Sequence, residues 1–229
     1  MGNRAELPFS KIEWVFTDLG ETLIDERIAL RDRLEQAVRL MAEIGRPRFL
    51  RQLEEACKSA ACDYVTKQYD EGLKRLGLNR ERRRFVISRT PWRSDLEELM
   101  PGAIDLLEIL SRKFKLGVIA NQPRGVVERL EQRGIRQYFS VVIASEEVGV
   151  AKPDPRIFEI ALEAAKCPPA KALMIGDRID NDIRPAKLLG MKTIRVLSGW
   201  GSLQEPRDEQ DLADYTAESL GEIRDLLAG

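Results

Sequence analysis

The chain has 229 residues, 43% of them hydrophobic and 33% charged, which suits one substantial core with an accessory module and excludes extended disorder or two unrelated large domains. Its 37 basic and 38 acidic residues leave a net charge of −1, too little to draw the protein to nucleic acid or an anionic membrane. Histidine is absent, which removes Ser-His-Asp and Cys-His catalysis and histidine-ligated zinc, so any chemistry falls to carboxylates, lysine, hydroxyls or a hard metal.

The first residues, MGNRAELPF, lack the apolar core of a signal peptide, and Glu6 stands where a myristoylation signal wants Ser or Thr. No eighteen-residue apolar run is present to span a membrane, and a cytoplasmic location is expected. The short apolar run Ile12 to Phe16 then reads as a buried strand that breaks into a polar loop at Asp18 to Thr22.

From about Asp25 to Asp95 only helical periodicity appears. The first helix carries Leu30, Leu34, Ala37, Val38 and Met41 and stops at Gly45 before Pro47; the second carries Leu50, Leu53, Cys57, Ala60, Tyr64 and Val65; a third lies around Arg80 to Ile87. Cys57 and Cys62 sit among apolar residues at helical spacing and, with Cys167, make an odd number, so buried thiols are expected rather than disulfides. The run Arg80-Glu81-Arg82-Arg83-Arg84, with Arg89 and Arg93 nearby, reads as a solvated helix face, the sharper alternative being that one or two of these arginines hold an anionic substrate tail.

Beyond it, apolar runs recur at Leu116 to Ala120, Val141 to Ala144, Ala172 to Ile175 and Thr193 to Leu197, with helical faces between them, and a closing helix carries Leu220, Ile223, Leu226 and Leu227. Strand alternating with helix predicts a doubly wound α/β fold with a parallel sheet, whose site lies at the carboxyl ends of the strands. We therefore expect a core of residues 1–25 and 96–229 with a helical insertion over 26–95.

Four segments at predicted strand ends carry the functional signal: Asp18-Leu19-Gly20-Glu21-Thr22-Leu23, Ala120-Asn121, Lys152-Pro153-Asp154-Pro155, and Gly176-Asp177 with Asn181-Asp182. Strand-end carboxylates with a lysine and no histidine suggest oxygen ligands for a hard cation such as Mg²⁺, and a phosphate ester as substrate. Singly each segment has a bland reading as a turn, helix cap or loop; in this order they resemble the motifs of the haloacid dehalogenase superfamily, in particular the branch with a helical cap between the first two motifs.

The resemblance covers nearly the whole chain. It implies a Rossmann-like core, Asp18 as a nucleophile that forms an aspartyl-phosphate, and Mg²⁺ held by Asp18, the Gly20 carbonyl, Asp177 and Asp182. Lys152 then offsets charge on nucleophile and phosphoryl group, and Asn121 contacts phosphate. The implied partner is a small phosphorylated metabolite, with no nucleic acid and no membrane; monomer and homodimer both remain open.

Two positions depart from the pattern. Gly20 stands where these phosphatases usually have a second aspartate, a general acid-base worth about 10²- to 10⁴-fold in rate. Ala120 stands where the second motif has Ser or Thr, removing a hydroxyl donor worth about 1.5 to 3 kcal/mol in a charged site. The customary acid-then-glycine order is reversed to Gly20-Glu21, so Glu21 is a candidate replacement acid-base, against the bland reading that it serves the loop. The expected function is a phosphatase that is weak or restricted to good leaving groups. The alternatives are a phosphate- or metabolite-binding regulator and, disfavoured by Gly20 where a tyrosine usually stands in that branch, a 2-haloacid dehalogenase.

Overall fold

The computed structural model of the chain describes residues 9–228; residues 1–8, read above for leader and acylation signals, and Gly229 lie outside the described residues. Two compact units divide it. One comprises the chain up to Ile24, Leu99–Ser198 and Pro206 onward; the other comprises Asp25–Glu98 and Gly199–Glu205. The elements run β1 Trp14–Thr17, β2 Ile24–Asp25, α1 Arg27–Glu43, α2 Leu50–Cys62, α3 Gln68–Arg75, α4 Arg80–Arg89 and β3 Glu98–Leu99. They continue with α5 Ala103–Ser111, β4 Lys115–Ala120, α6 Val126–Gln132, β5 Phe139–Ala144, α7 Ser145–Val148, α8 Arg156–Ala165 and β6 Ala172–Gly176. The last are α9 Arg184–Leu188, β7 Lys192–Val196, β8 Tyr215–Ala217 and α10 Leu220–Ala228.

The first unit is an α/β layer structure on a parallel sheet of order β5-β4-β1-β6-β7-β8. Strand order reverses at β1, whose neighbours are β4 and β6, so the carboxyl ends of these strands meet where such sheets open a crevice. Period-2 alternation explains why both faces are apolar. Val15, Leu116, Val118, Leu173 and Ile175 pack on one face with α5 and α10 residues such as Leu106, Leu110, Ile223 and Leu227. Trp14, Phe16, Ile119, Ala172 and Met174 pack on the other with Ile157, Phe158 and Ala161 of α8. Phe16 is wholly buried, a burial worth about 1.5 to 3 kcal/mol.

The second unit is helical, built on Leu34, Ala37, Met41, Leu53, Cys57, Leu73, Leu78 and Val86. Helix α3, which the sequence reading did not anticipate, offers few apolar residues of its own and is specified by packing: a Cβ on Gly72 would stand 2.4 Å from the Cys57 sulfur, so only glycine lets α3 lie this close to α2. The Asn79 side chain caps α4 by accepting from the Arg82 N–H at 3.0 Å.

Segment 199–205, which the sequence reading included in the core of residues 96–229, belongs instead to the helical unit. Trp200 packs on that unit's apolar cluster, the Gln204 amide donates to the Ala61 carbonyl at 3.0 Å, and the Tyr64 hydroxyl donates to the Glu205 carbonyl at 2.8 Å. All three cysteines are free, but Cys62 is exposed rather than buried, because α2 ends there and its sulfur meets the Leu203 carbonyl at the edge. No helix of the described residues is long and apolar enough to cross a membrane.

Candidate active site

Asp18 follows the last residue of β1, and its N–H donates to the Ile175 carbonyl at 2.9 Å, so sheet pairing with β6 fixes its backbone. The loop beyond is tight: the Leu19 carbonyl accepts from the N–H groups of Thr22, Leu23 and Ile24, while Glu21 N–H donates to the Ile24 carbonyl at 2.7 Å. Leu19 and Leu23 anchor it in the core. Closing the loop puts Glu21 at φ +52°, a left-handed conformation that costs a residue with a Cβ about 1 to 2 kcal/mol. The customary glycine at this place has a backbone reason, and this chain puts a carboxylate there against it. The Glu21 carboxylate accepts a hydrogen bond from the Ser198 hydroxyl at 3.3 Å.

Lys152, buried, is the hub. Its Nζ lies 2.8 Å from Asp18 Oδ1 and 2.5 Å from Asp182 Oδ1. Burial pushes its pKa down, but the facing carboxylates outweigh that and hold it above its ordinary value, so it stays an ammonium. Asn121, at the end of β4, fixes its backbone from both sides: its side-chain oxygen accepts from Lys152 N–H at 2.7 Å, and its amide donates to the Lys152 carbonyl at 2.9 Å. The amide's second N–H is what Asn121 can offer an anion. Ala120, fully buried in the core, brings no polar group.

Asp177 and Asp182 leave β6 through a turn of π-helix over Ile179–Ile183, an irregularity frequent at functional sites. Asp182 lies back against Gly176, where a Cβ would stand 2.4 Å from its carboxyl carbon, and its other oxygen accepts from Arg178 N–H at 3.1 Å. The Arg178 guanidinium is paired with Asp180 at 2.6 Å, and Arg195 donates to the Asp177 carbonyl at 3.3 Å.

Ligand oxygens of Asp18, Asp177 and Asp182 all lie within 4.8 Å of one another. Three carboxylates against one ammonium leave negative charge uncompensated. Burial and the neighbouring carboxylates Asp182 and Asp18 push Asp177 well above the ordinary carboxylate range, and burial raises Asp182 to about 6 against the pull of Lys152. An all-oxygen set deficient in positive charge fits a hard divalent cation. The Asn181 side-chain oxygen, in the same turn, is buried with no hydrogen-bond donor, a further acceptor awaiting one.

The structure thus brings Asp18, Lys152, Asp177, Asp182 and Asn121 into one network and places Gly20 and Glu21 in the adjoining loop. Sequence reasoning missed Ser198, two residues past β7; its signal was position, since it too leaves the carboxyl edge of the sheet. Of the arginines singled out, Arg83 is paired with Asp70 and Arg93 with Asp95, while Arg80, Arg84 and Arg89 are exposed.

Among known proteins, a family model described as a haloacid dehalogenase-like hydrolase matches residues 12–190. Similar curated proteins include glyceraldehyde 3-phosphate phosphatases of Methanopyrus kandleri, 29% identical over 94% of this chain and 97% of that protein, and of Pyrococcus abyssi, 31% identical over 80% of each. A solved haloacid dehalogenase-type phosphatase from Thermococcus onnurineus shares the fold, with a TM-score of 0.65 and 24% identity over 95% of this chain and 99% of that one.

Proposed function

The chain belongs to the haloacid dehalogenase-like hydrolase family, and we propose that it is a magnesium-dependent phosphatase of a small phosphorylated metabolite, working through an aspartyl-phosphate on Asp18 and favouring good leaving groups. The observation that carries this reading is the buried Lys152 ammonium held between Asp18 and Asp182, with Asp177 beside them. The glyceraldehyde 3-phosphate phosphatases to which it is similar support the substrate class.

An anionic carboxylate approaches an anionic phosphoryl group only where cations offset the repulsion. Lys152 does so at Asp18 Oδ1, and Asn121 keeps the lysine in place. Asp18, Asp177, Asp182 and the Gly20 carbonyl are the oxygens that would hold Mg²⁺, which supplies further charge neutralisation at the phosphoryl oxygens. Asp18 forms the bond to phosphorus as the bond to the leaving oxygen breaks; water then cleaves the acyl phosphate, returning the carboxylate and releasing phosphate.

With glycine at position 20, no aspartate protonates the leaving oxygen. Glu21, oriented by Ser198, is the carboxylate proposed to act there. Acyl and aryl phosphates, whose leaving groups need little protonation, are the favoured substrates.

The test is hydrolysis of an aryl phosphate by the wild type and by Asp18→Asn, with Mg²⁺ and with chelator. Turnover that requires both Asp18 and metal is expected, with a loss of about 10⁴-fold or more in the variant, as for removal of other catalytic nucleophiles. Wild-type turnover that survives chelation or the substitution overturns the proposal.

A further inference from the structure

The turn that carries Asp177 and Asp182 also buries an ion pair that the chemistry above does not use. Arg178 and Asp180 meet edge to edge, Nε to Oδ1 at 3.0 Å and Nη2 to Oδ2 at 2.6 Å, with only 14% and 8% of their side chains exposed. Each stands within two residues of a carboxylate of the site, and the Arg178 N–H donates to Asp182 at 3.1 Å. A second guanidinium, that of buried Arg195 on β7, donates to the Asp177 carbonyl at 3.3 Å.

Stability alone does not account for burying this pair. Taking two charges out of water costs much of what their attraction returns, and well-packed apolar residues of similar size often do as well or better. A pair between residues two apart in one turn also draws no distant segment together. What the position does supply is charge beside the carboxylates. Burial pulls the Arg178 pKa down, and Asp180, Asp177 and Asp182 lift it above its ordinary value, while Arg178 in turn pulls against the rise at Asp177. The guanidinium therefore acts on the carboxylates of the site, and Asp180 stands against its charge at the same place.

We propose that Arg178 and Asp180 form a balanced charge pair that sets how tightly the carboxylate site holds its divalent cation, Arg178 loosening the ion and Asp180 tightening it. The metal site itself comes from the phosphatase reading, on which this inference rests; neither residue of the pair is among the oxygens assigned to the ion. With no ion bound, the guanidinium steadies carboxylates that otherwise repel one another. With the ion bound, the same charge opposes a doubly positive neighbour, and the Asp180 carboxylate offsets that cost.

The probe is Mn²⁺, a hard divalent cation whose unbound fraction is read by electron paramagnetic resonance, titrated into the metal-stripped whole chain without substrate. Asp177→Asn, lacking a ligand carboxylate, marks how much of the binding belongs to the site. Arg178→Gln is expected to tighten Mn²⁺ by about 10-fold and Asp180→Asn to weaken it by about 10-fold. The double variant Arg178→Gln/Asp180→Asn returns to within about threefold of the wild type. Were the pair only a structural support, both single changes would weaken binding and the double variant would bind no better than either.

Single variants that both weaken Mn²⁺, or that both stay within about twofold of the wild type, overturn the proposal. Should one single variant not fold, because its partner's charge is left buried alone, the other and the double variant decide. A shift of the stated sign that the double variant reverses upholds the pair, and any other result overturns it. A wild type that binds no Mn²⁺ fails the metal reading and the pair with it. Opposite shifts in a protein that hydrolyses no ester leave the pair standing and the phosphatase reading fallen.

Discussion

The two ends of the site's polar network differ in kind. On the Asp177 and Asp182 side, carboxylates crowd a buried lysine, and burial with neighbouring carboxylates raises the pKa of Asp177 and Asp182. On the Gly20 and Ala120 side, neither residue brings a polar side chain, and Glu21 sits in a strained left-handed backbone. In the function proposed above, the crowded side handles charge and the depleted side bears on the leaving group. On the proposed reading, the two sides serve different purposes, and each is expected to be alterable without the other.

The largest test of that division is Gly20→Asp. Gly20 does not share the left-handed conformation of the chain's turn glycines, so its backbone admits a side chain. If proton delivery is the missing function, turnover of an alkyl phosphate rises by about 10²- to 10⁴-fold, with a smaller gain for an aryl phosphate. Equal changes for both esters would place the deficit elsewhere.

Lys152→Met acts on the crowded side. Leaving Asp18 and Asp182 without their buried partner is expected to cost about 3 to 5 kcal/mol, read by urea denaturation in chelator. A variant as stable as the wild type would show that the carboxylates relax without the lysine, and that crowding is not a stored tension.

The smallest effect separates the two roles of position 21. Glu21→Gly relieves the left-handed strain but adds freedom to the unfolded chain, a net gain of about 0.5 to 1 kcal/mol. Thermal denaturation should rise slightly while aryl phosphate turnover falls. Higher stability with turnover intact would make Glu21 a loop residue only.

Much of the core was legible because strands buried on both faces read as continuous apolar runs: Leu116 to Ala120 and Ala172 to Ile175 are each found within β4 and β6. Strand β8 was not, since Tyr215-Thr216-Ala217 is short and lies at the sheet edge, where burial no longer writes a run. Asp18, Asn121 and Asp177 were locatable because they sit at strand ends. Ser198 was not, because a serine in a loop past a strand has no distinguishing pattern; what sets it apart is the Glu21 carboxylate it meets from a distant segment. Helix α3 was hidden for a related reason: Gly72 weakens its intrinsic preference and is understood only against Cys57.

The affiliation of residues 199–205 bears on how such proteins can be recombined. The polypeptide passes between its two units after residues 24, 98, 198 and 205, so the helical module is not a single cassette. Splicing residues 26–95 into another scaffold would strip Ala61 and Tyr64 of their partners Gln204 and Glu205 and uncover the surface under Trp200. A chimera that exchanges modules between relatives has to carry both pieces, and a library built on the long insertion alone would be sampling a module with an open seam.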